Sequence, residues 1–276
     1  IAGSGWHALR ERRRRSAGRV LATSLLAELF CHHRRRYEPS SSQHYCRARA
    51  RLAEIGGTMN FGATAIEFTE EQAMLQESAM RLCAELSPIE TVRSLLEDPQ
   101  GYSETAWQMM VDMGWTGLAL PESVGGSEFG LGAFVTVFEA MGRHLLTTPL
   151  MSTVLAADLL ARCDLARSEH FLREVTAGAK ATVAFLERED WGSTTIATTL
   201  AAGRLEGRKV HVADAANADL IVIPALRDGR CVLVVLHGEQ LAELHRHDHD
   251  VLDATRRAQT LAFSLAVDDT QIIDSA

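Results

Sequence analysis

The first half of the chain, up to about residue 178, carries apolar residues at the spacing of amphipathic helices. Thr69 and Gln72 form a capping-box signature, in which each side chain accepts from the backbone N–H of the other residue. This pattern predicts a helix from about Glu70 to Leu86, which Pro88 ends. Four further apolar stripes predict helices through Trp107, Met110 and Val111; through Phe134, Val137, Phe138 and Met141; through Leu155, Leu159, Leu160 and Cys163; and through Phe171, Leu172 and Val175.

After Gly178 the pattern changes to alternating apolar and polar residues with many β-branched side chains, which is typical of strands. Large and small residues alternate from Leu261 to Val267, as expected of a half-buried antiparallel strand. Gly203 predicts one hairpin and Asp228-Gly229 predicts a second, tighter one. The predicted strands span residues 181–186, 195–200, 205–212, 220–223, 231–236 and 260–267.

The order of these elements, helices first and strands afterwards, indicates an α+β fold. A doubly wound parallel sheet would need strands and helices in alternation, and no G-x-G-x-x-G follows a predicted strand. We therefore expect an all-α N-terminal domain over residues 59–178. An antiparallel β-barrel or sandwich is expected over residues 179–276.

Composition narrows the class of protein. The chain has 276 residues, of which 46% are hydrophobic, and this is enough for two domains with buried cores. No run approaches the roughly 18 uninterrupted apolar residues of a membrane span, so no membrane segment is expected. The five cysteines are widely spaced and odd in number, which favours neither a disulfide framework nor a zinc site and indicates a reducing compartment.

The net charge of −8 is unevenly distributed. Residues 1–58 hold twelve Arg and four Glu, a formal charge of +8, so residues 59–276 carry −16. Since Ile1 is not an initiator residue and Met59 is, we interpret residues 1–58 as an extension without a fold of its own, with a targeting presequence or a basic arm as alternatives. A cytoplasmic location is expected, or the mitochondrial matrix if residues 1–58 are a presequence. The acidic remainder argues against nucleic-acid binding.

The segment from Gly207 to Ala225 reads GRKVHVADAANADLIVIPA. It resembles a segment of the acyl-CoA dehydrogenase family, G-x-K-x-W-I-T-N-x-x-x-A-D followed by an apolar strand. The turn from Pro121 to Gly126 is similar to the family's P-E-x-x-G-G loop, in which the glycine pair permits positive φ. The resemblance covers residues 59 to about 274. The residues that match the first segment in register are Gly207, Lys209, Val212, Ala218 and Asp219.

This resemblance implies an FAD site with altered side chains. In the family the Trp of the segment lies against the flavin ring and the Thr hydroxyl bonds to it, whereas this chain has His211 and Ala213. A second flavin segment, A-x-T-E-P-x-x-G-S-D, is similar to residues 184–193, where Leu186 replaces the Thr. Backbone N–H groups of residues 185–187 are the expected donors. His211 is expected to stack or hydrogen-bond in place of the Trp, with Trp191 as a further aromatic face; the alternative is that His211 is an outward strand residue and Trp191 packs a loop. The expected FAD contacts are Phe185, Leu186, Glu187, His211 and Ala213, and the expected acyl-thioester contacts are Gly192 and Ser193.

The resemblance also implies a reaction, the α,β-dehydrogenation of an acyl-CoA thioester, with electron-transfer flavoprotein as a partner. In the family a carboxylate from a C-terminal four-helix bundle removes the α-proton, and the β-hydride passes to the flavin. The sequence to Ala276 is expected to lack that bundle, and no catalytic residue is assigned among Glu187, Glu189 and Asp190.

The pattern is similar to the divergent small subunits of heteromeric acyl-CoA dehydrogenases, so a homo- or hetero-oligomer with another dehydrogenase subunit is expected. Two functions follow from the resemblance. The first is a flavin-dependent oxidoreductase of fatty-acid or acyl-CoA catabolism, present here as a truncated chain. The second is a non-catalytic subunit that completes the site of another dehydrogenase subunit.

Two polar groups have alternative interpretations. His245, His247 and His249 would share one face of a strand, an arrangement that suits a metal ion. We interpret them as part of a solvated loop between strands and assign no metal, because no separate ligand joins them. Arg208 and Lys209 would attract CoA phosphates, although such a pair on an exposed strand is usually ordinary surface.

Overall fold

The structure is a computed structural model that describes residues 69–189 and 195–274. The extension predicted over residues 1–58, the start at Met59 and the predicted substrate contacts Gly192 and Ser193 lie outside these described residues. The described residues belong to one compact unit, which spans Glu67–Ala276.

Six α-helices form the first part of the described chain. The predicted capping box is present, because Thr69 and Gln72 each accept a hydrogen bond from the backbone N–H of the other. The first helix ends before Pro88 as predicted, but a short helix that the pattern did not predict begins at Ile89. None of these helices has the length and apolar character needed to cross a bilayer. The helices are α1 Glu70–Leu86, α2 Ile89–Leu96, α3 Glu104–Asp112, α4 Phe134–Arg143, α5 Leu150–Arg162 and α6 Leu165–Thr176.

Helix α5 buries most of the stripe that the pattern predicts. Leu160 is buried, and Leu159 and Cys163 pack against a core cluster, but Leu155 is 56% exposed and the buried face also includes Leu150 and Val154. The helix is apolar on most of its circumference, so the spacing of its leucines does not fully identify the buried face. Packing of α5 against α6 and against the strand Ala181–Val183 selects that face instead.

The P-E-x-x-G-G loop needs its two glycines for different reasons. Gly125 has φ of +87°, a conformation that glycine adopts without steric cost. Gly126 lies against the backbone of Leu120, where an added Cβ would be 2.0 Å from the carbonyl oxygen. The prediction that the pair permits positive φ therefore holds for Gly125, while Gly126 permits close backbone contact.

We expect Gly126→Ala to lower the free energy of unfolding by about 2–4 kcal/mol, because the methyl group displaces backbone and not a flexible side chain. Gly132→Ala is the matched control, since an added Cβ there meets nothing within 4 Å. Its effect should stay below about 1 kcal/mol. Urea unfolding of both variants measures the difference, and equal losses would contradict this role of Gly126.

The described residues contain eight strands, which form one sheet in the order β6-β7-β3-β2-β4-β5-β8, with β1 pairing beside β4. The pairs are antiparallel except that β1 runs parallel to β4 and a single residue of β2, Thr199, pairs in parallel with Leu226 of β4. This arrangement confirms the α+β class with a mostly antiparallel sheet. The strands are β1 Ala181–Val183, β2 Thr199–Ala201, β3 Arg204–Ala213, β4 Leu220–Arg227, β5 Arg230–His237, β6 His245–Asp248, β7 Ala258–Ala266 and β8 Ile272–Asp274.

Both predicted hairpins are two-residue turns. Ala202 and Gly203 have φ of +48° and +71°, and Asp228 and Gly229 have φ of +51° and +76°. Positive φ at both central positions defines the type I′ turn, whose twist matches that of the flanking strands. The turns therefore join β2 to β3 and β4 to β5 in the predicted places.

Three strands, β6, β8 and β2, differ from the sequence prediction. Residues 245–248 form β6, antiparallel to β7, so the prediction of a solvated loop at this place is wrong. The segment HRHD has no apolar alternation, and its strand conformation comes from backbone pairing with β7. The short strand β8 pairs with β5 and was not predicted either. The run predicted over residues 195–200 contains only the start of β2, at Thr199.

The helices and the sheet share a core. One apolar cluster lies among α1, α3, α4 and α5, and a second lies between faces of the sheet. A third joins α5 and α6 to β1, β4 and β5 through residues such as Leu160, Phe171, Val222 and Val235. This shared core places β1, and the connection that follows it, against β4 and β3.

Candidate functional site

The connection from β1 to β2 passes between β4 and β3 at residues 184–187. The Ala184 N–H donates to the Val222 carbonyl at 2.9 Å, and the Val210 N–H donates to the Leu186 carbonyl at 2.7 Å. These bonds attach the connection to a strand on each side. Phe185 lies between them and is 44% exposed, so the attached stretch is open to solvent.

A buried ion pair fastens this connection to the sheet. The Lys209 ammonium lies 2.6 Å from a Glu187 carboxylate oxygen and donates to the Pro224 carbonyl at 2.9 Å. The Lys209 side chain is fully buried, and that of Glu187 is 8% exposed. Since β1 pairs with β4 only as far as Val222 and β2 joins it at Leu226, Lys209 binds β4 in the gap between those two strands.

The Glu187 carboxylate also holds the far end of the connection. It accepts from the Ala197 N–H at 2.5 Å, from the Thr198 N–H at 3.0 Å and from the Thr198 hydroxyl at 2.7 Å. Burial alone would raise the pKa of this carboxyl, but the hydrogen bonds from Lys209 and Thr198 outweigh it and hold the pKa below its usual value. The carboxylate is therefore charged at neutral pH and organises both ends of the connection.

The buried position of Lys209 contradicts both interpretations made from the sequence, attraction of CoA phosphates and ordinary exposed surface. The sequence does carry a signal for this position. Leu205, Gly207 and Lys209 alternate along β3, and Leu205 is fully buried, so the period of two places Lys209 on the inward face. A Lys on such a face needs a buried partner, and that partner is Glu187.

His211 lies at a β-bulge in β3 and has a backbone φ of +51°. A bulge redirects a side chain, and positive φ is uncommon for residues other than glycine. The His211 Nε2 lies 2.5 Å from a Glu189 carboxylate oxygen, and its ring centroid lies 4.4 Å from that of His249. The position that resembles the Trp of the family segment thus carries a pair of neighbouring imidazole rings.

His249 is the site residue that the sequence reasoning missed. Its Nε2 contacts the Thr260 hydroxyl at 2.8 Å, which holds the ring beside His211. The alternating histidines were a visible signal, but they suggested a metal site and not a ring pair. Among the residues with described positions, no group of three His, Cys, Asp or Glu side chains is placed to hold a metal ion.

The end of β3 supplies no side-chain donor to a ligand. The Ala213 carbonyl accepts from the Thr182 hydroxyl at 2.7 Å. Asp214, with φ of +55°, is buried and accepts from the Ser152 hydroxyl at 2.5 Å. Burial raises the pKa of the Asp214 carboxyl, although the hydrogen bond from Ser152 opposes this shift.

We expect Asp214→Asn to stabilise the protein at pH 8, because it removes a carboxyl group that burial disfavours in its charged form. A raised folded-state pKa contributes stability that is present below the unfolded value and is lost as pH rises through the folded value. The melting temperature of the variant should exceed that of the wild type by about 2–4 °C at pH 8. This advantage should shrink as the pH falls towards about 4.

Thermal unfolding across this pH range checks the Asp214 prediction. Glu85→Gln, at an exposed position of α1, is the matched control, and its melting temperature should follow the wild type. A pH-independent gain at Asp214→Asn would show that packing, and not proton linkage, causes the effect.

The predicted flavin contacts fit a flavin held mainly by backbone groups. The N–H groups of Phe185, Leu186 and Glu187 donate to no acceptor among the residues that the structure describes. The Glu187 side chain is engaged by Lys209, so only its backbone is available to a ligand. Leu186 and Ala213 carry no hydroxyl, while His211 supplies an aromatic ring that is 20% exposed. The structure thus brings the five predicted contacts onto neighbouring segments.

The helical domain matches a known protein family. Residues 69–179 match the family profile described as acyl-CoA dehydrogenase, N-terminal domain. Acyl-CoA dehydrogenase IpdE2 of Mycolicibacterium smegmatis is 34% identical over 113 residues, which is 41% of this chain and 35% of that protein. Acyl-CoA dehydrogenase FadE28 of Mycobacterium tuberculosis is 32% identical over 139 residues, 49% of this chain and 39% of that protein. The matched region spans about a third of the length of these relatives.

Solved structures extend the comparison over both domains. A chain of the ChsE4-ChsE5 complex from Mycobacterium tuberculosis has a TM-score of 0.67 at 23% identity, covering 76% of this chain and 58% of that chain. Butyryl-CoA dehydrogenase from Megasphaera elsdenii has a TM-score of 0.60 at 17% identity, covering 77% of this chain and 60% of that chain. The helical domain followed by the β domain is therefore a known fold.

Proposed function

Because its helical domain matches that profile and its two domains have the corresponding fold, the chain belongs to the acyl-CoA dehydrogenase family, and we propose that it serves in FAD-dependent α,β-dehydrogenation of an acyl-CoA thioester. The Glu187–Lys209 ion pair carries this proposal. It holds the backbone donors of residues 185–187 beside the strand that contains His211 and Ala213.

Each of these residues has a role in the proposal. The backbone N–H groups of residues 185–187 would hold the polar edge of a flavin, and His211 would pack against its ring. Ala213 would leave space beside the ring without donating to it. When bound, a flavin would supply the hydride-accepting chemistry of the reaction. Gly192 and Ser193 remain the proposed contacts of the thioester, and no described residue is assigned as the base that removes the α-proton.

A second candidate function is a non-catalytic partner subunit. It is favoured by Leu186 and Ala213, which supply no hydroxyl at the two positions where the family segments have Thr. In this role the chain completes the site of another dehydrogenase subunit, and the assembly passes electrons to an electron-transfer flavoprotein. One of the similar structures is a complex of two named components, ChsE4 and ChsE5, which supports a heteromeric assembly.

Equilibrium dialysis of the full-length chain against FAD distinguishes the two functions. FAD retained by the isolated chain, with weaker retention by His211→Asn, supports the first function. Asn is the matched substitution because it tolerates the positive φ of this position. No retention by the isolated chain, together with FAD retention in a purified complex with a second dehydrogenase subunit, supports the second. FAD binding in neither preparation would contradict both.

A further inference from the structure

One face of the β6–β7–β3 region carries a concentration of cationic and titratable side chains. We define the histidine cluster as Arg208, His211, His247 and His249. The ring centroids of His247 and His249 are 6.1 Å apart, and those of His211 and His249 are 4.4 Å apart. Arg208 and His247 are exposed, so the cluster is open to solvent on one side.

The histidine cluster already binds one carboxylate. The Glu189 side chain is 67% exposed, yet its oxygen lies 2.5 Å from the His211 Nε2. The hydrogen bond from His211, supported by the charges of His249 and Arg208, lowers the pKa of Glu189. An exposed acid on a connection between strands gains little from burial, so its position reflects attraction by the cluster.

Of the other charged or titratable groups near the cluster, three are engaged elsewhere and two are exposed. Glu187 bonds Lys209 on the inward side of β3. Asp248 accepts from the Gln259 amide at 2.7 Å. Arg246 donates to the Ala215 carbonyl on the inward side of the sheet. His245 is exposed in β6. His245 and Arg208 both lie opposite Ala262 of β7, one on each side of that strand, so His245 adds a titratable group to this face. Asp250, which follows the cluster, is exposed.

From this geometry we propose that the histidine cluster is a binding site for a phosphate-bearing anion, and that Glu189 is an internal carboxylate that such an anion displaces. A phosphate group presents several acceptor oxygens and can contact the guanidinium and more than one imidazole together, whereas one carboxylate engages fewer donors. The proposal concerns the phosphate chemistry alone and does not rest on flavin binding or dehydrogenation.

The cluster predicts a pH dependence with a definite sign. An imidazole that takes up a proton together with the ligand gains a positive charge. A protonated imidazole also donates from both nitrogen atoms. Pyrophosphate binding should therefore be tighter at pH 6 than at pH 8, by about tenfold or more if one proton is taken up with the ligand.

Isothermal titration of the full-length chain with inorganic pyrophosphate, at constant ionic strength and at pH 6 and 8, tests the proposal. Glu189→Gln should tighten binding about threefold or more at pH 6, because it removes the competing charge. His211→Asn and His249→Asn should each weaken binding about tenfold. Glu206→Gln, an exposed acid on the same strand, is the matched control and should bind as the wild type does.

Competition identifies the source of the phosphate. Displacement of pyrophosphate by FMN and by ADP, but not by riboflavin, supports a general phosphate site, and displacement by FMN alone supports a flavin phosphate. Displacement by riboflavin as strongly as by FMN would overturn the proposal, because riboflavin has no phosphate. Pyrophosphate binding that does not depend on pH and is unchanged in both histidine variants, with their fold verified by circular dichroism, would also overturn the proposal. Such binding would reflect nonspecific charge attraction instead of a site.

Discussion

Lys209→Met is expected to lower the free energy of unfolding by about 3–5 kcal/mol, because it leaves the Glu187 carboxylate buried without its partner. Met has a similar length and an apolar side chain, so the loss is not the result of a large cavity. The Pro224 carbonyl also loses the hydrogen bond that Lys209 donates in the gap between β1 and β2. Urea unfolding followed by tryptophan fluorescence measures the change.

A double variant distinguishes the contribution of the ion pair to stability from that of side-chain packing. Glu187→Gln together with Lys209→Met removes both charges and retains one acceptor oxygen, although Ala197 and Thr198 donate to different oxygens of Glu187. It should be more stable than Lys209→Met alone by at least about 1 kcal/mol. The matched control is Arg81→Met, which breaks an ion pair with Glu77 whose side chains are 69% and 71% exposed. A control loss as large as that of Lys209→Met would contradict the special role of the buried pair.

The loss of stability caused by Lys209→Met should depend on pH. The pKa of Glu187 is lowered in the folded protein, so the stabilisation is present above the unfolded-state value and is lost as pH falls through the folded-state value. In the variant, burial without the Lys209 partner favours the neutral form of Glu187, so its burial costs less as the pH falls. The difference in unfolding free energy between the variant and the wild type should therefore decrease at acidic pH. A difference that increases would contradict this account of the pair.

The second large effect concerns the flavin contacts. Restoring both family side chains, His211→Trp with Ala213→Thr, should tighten FAD binding by about 10- to 100-fold, because each restored contact adds on the order of 1 kcal/mol. Quenching of FAD fluorescence measures the affinity. The φ of +51° at His211 disfavours a bulky residue, so the melting temperature of the variant should fall even as its affinity rises.

Position matters more than aromatic content in this prediction. Glu206→Trp places the same side chain on an exposed position of β3 outside the histidine cluster. It should leave the affinity for FAD within about threefold of the wild type. If the restored double variant gains nothing over Glu206→Trp, the segment from Gly207 to Ala225 does not contact flavin.

Much of the fold follows from local chemistry in the sequence. The Thr69–Gln72 capping box and the two type I′ turns are each specified by a few adjacent residues, and all three are present. The strand β6 was missed because its conformation depends on pairing with β7, which the polar sequence HRHD does not reveal. The exposure of Leu155 in α5 was missed for a related reason, since only contact with the sheet distinguishes one apolar face from another.

The candidate site likewise includes residues that the sequence is enough to place and contacts that it does not predict. Register with the family segment identifies His211 and Ala213, and the alternation along β3 is enough to place Lys209 inward. The contact between His211 and His249 could not be predicted, because it requires the bulge that redirects His211 and a strand pairing that brings β6 alongside β7. Contacts that depend on such long-range geometry leave little trace in a single sequence.

The most direct test of the central claim is the dissociation constant of FAD for three full-length chains: the wild type, His211→Asn, and the double variant His211→Trp with Ala213→Thr. If His211 occupies the ring-contacting position, affinity should rise from His211→Asn to the wild type and again to the double variant. The same dissociation constant in all three chains, or no binding by any of them, would contradict the claim that this segment holds a flavin.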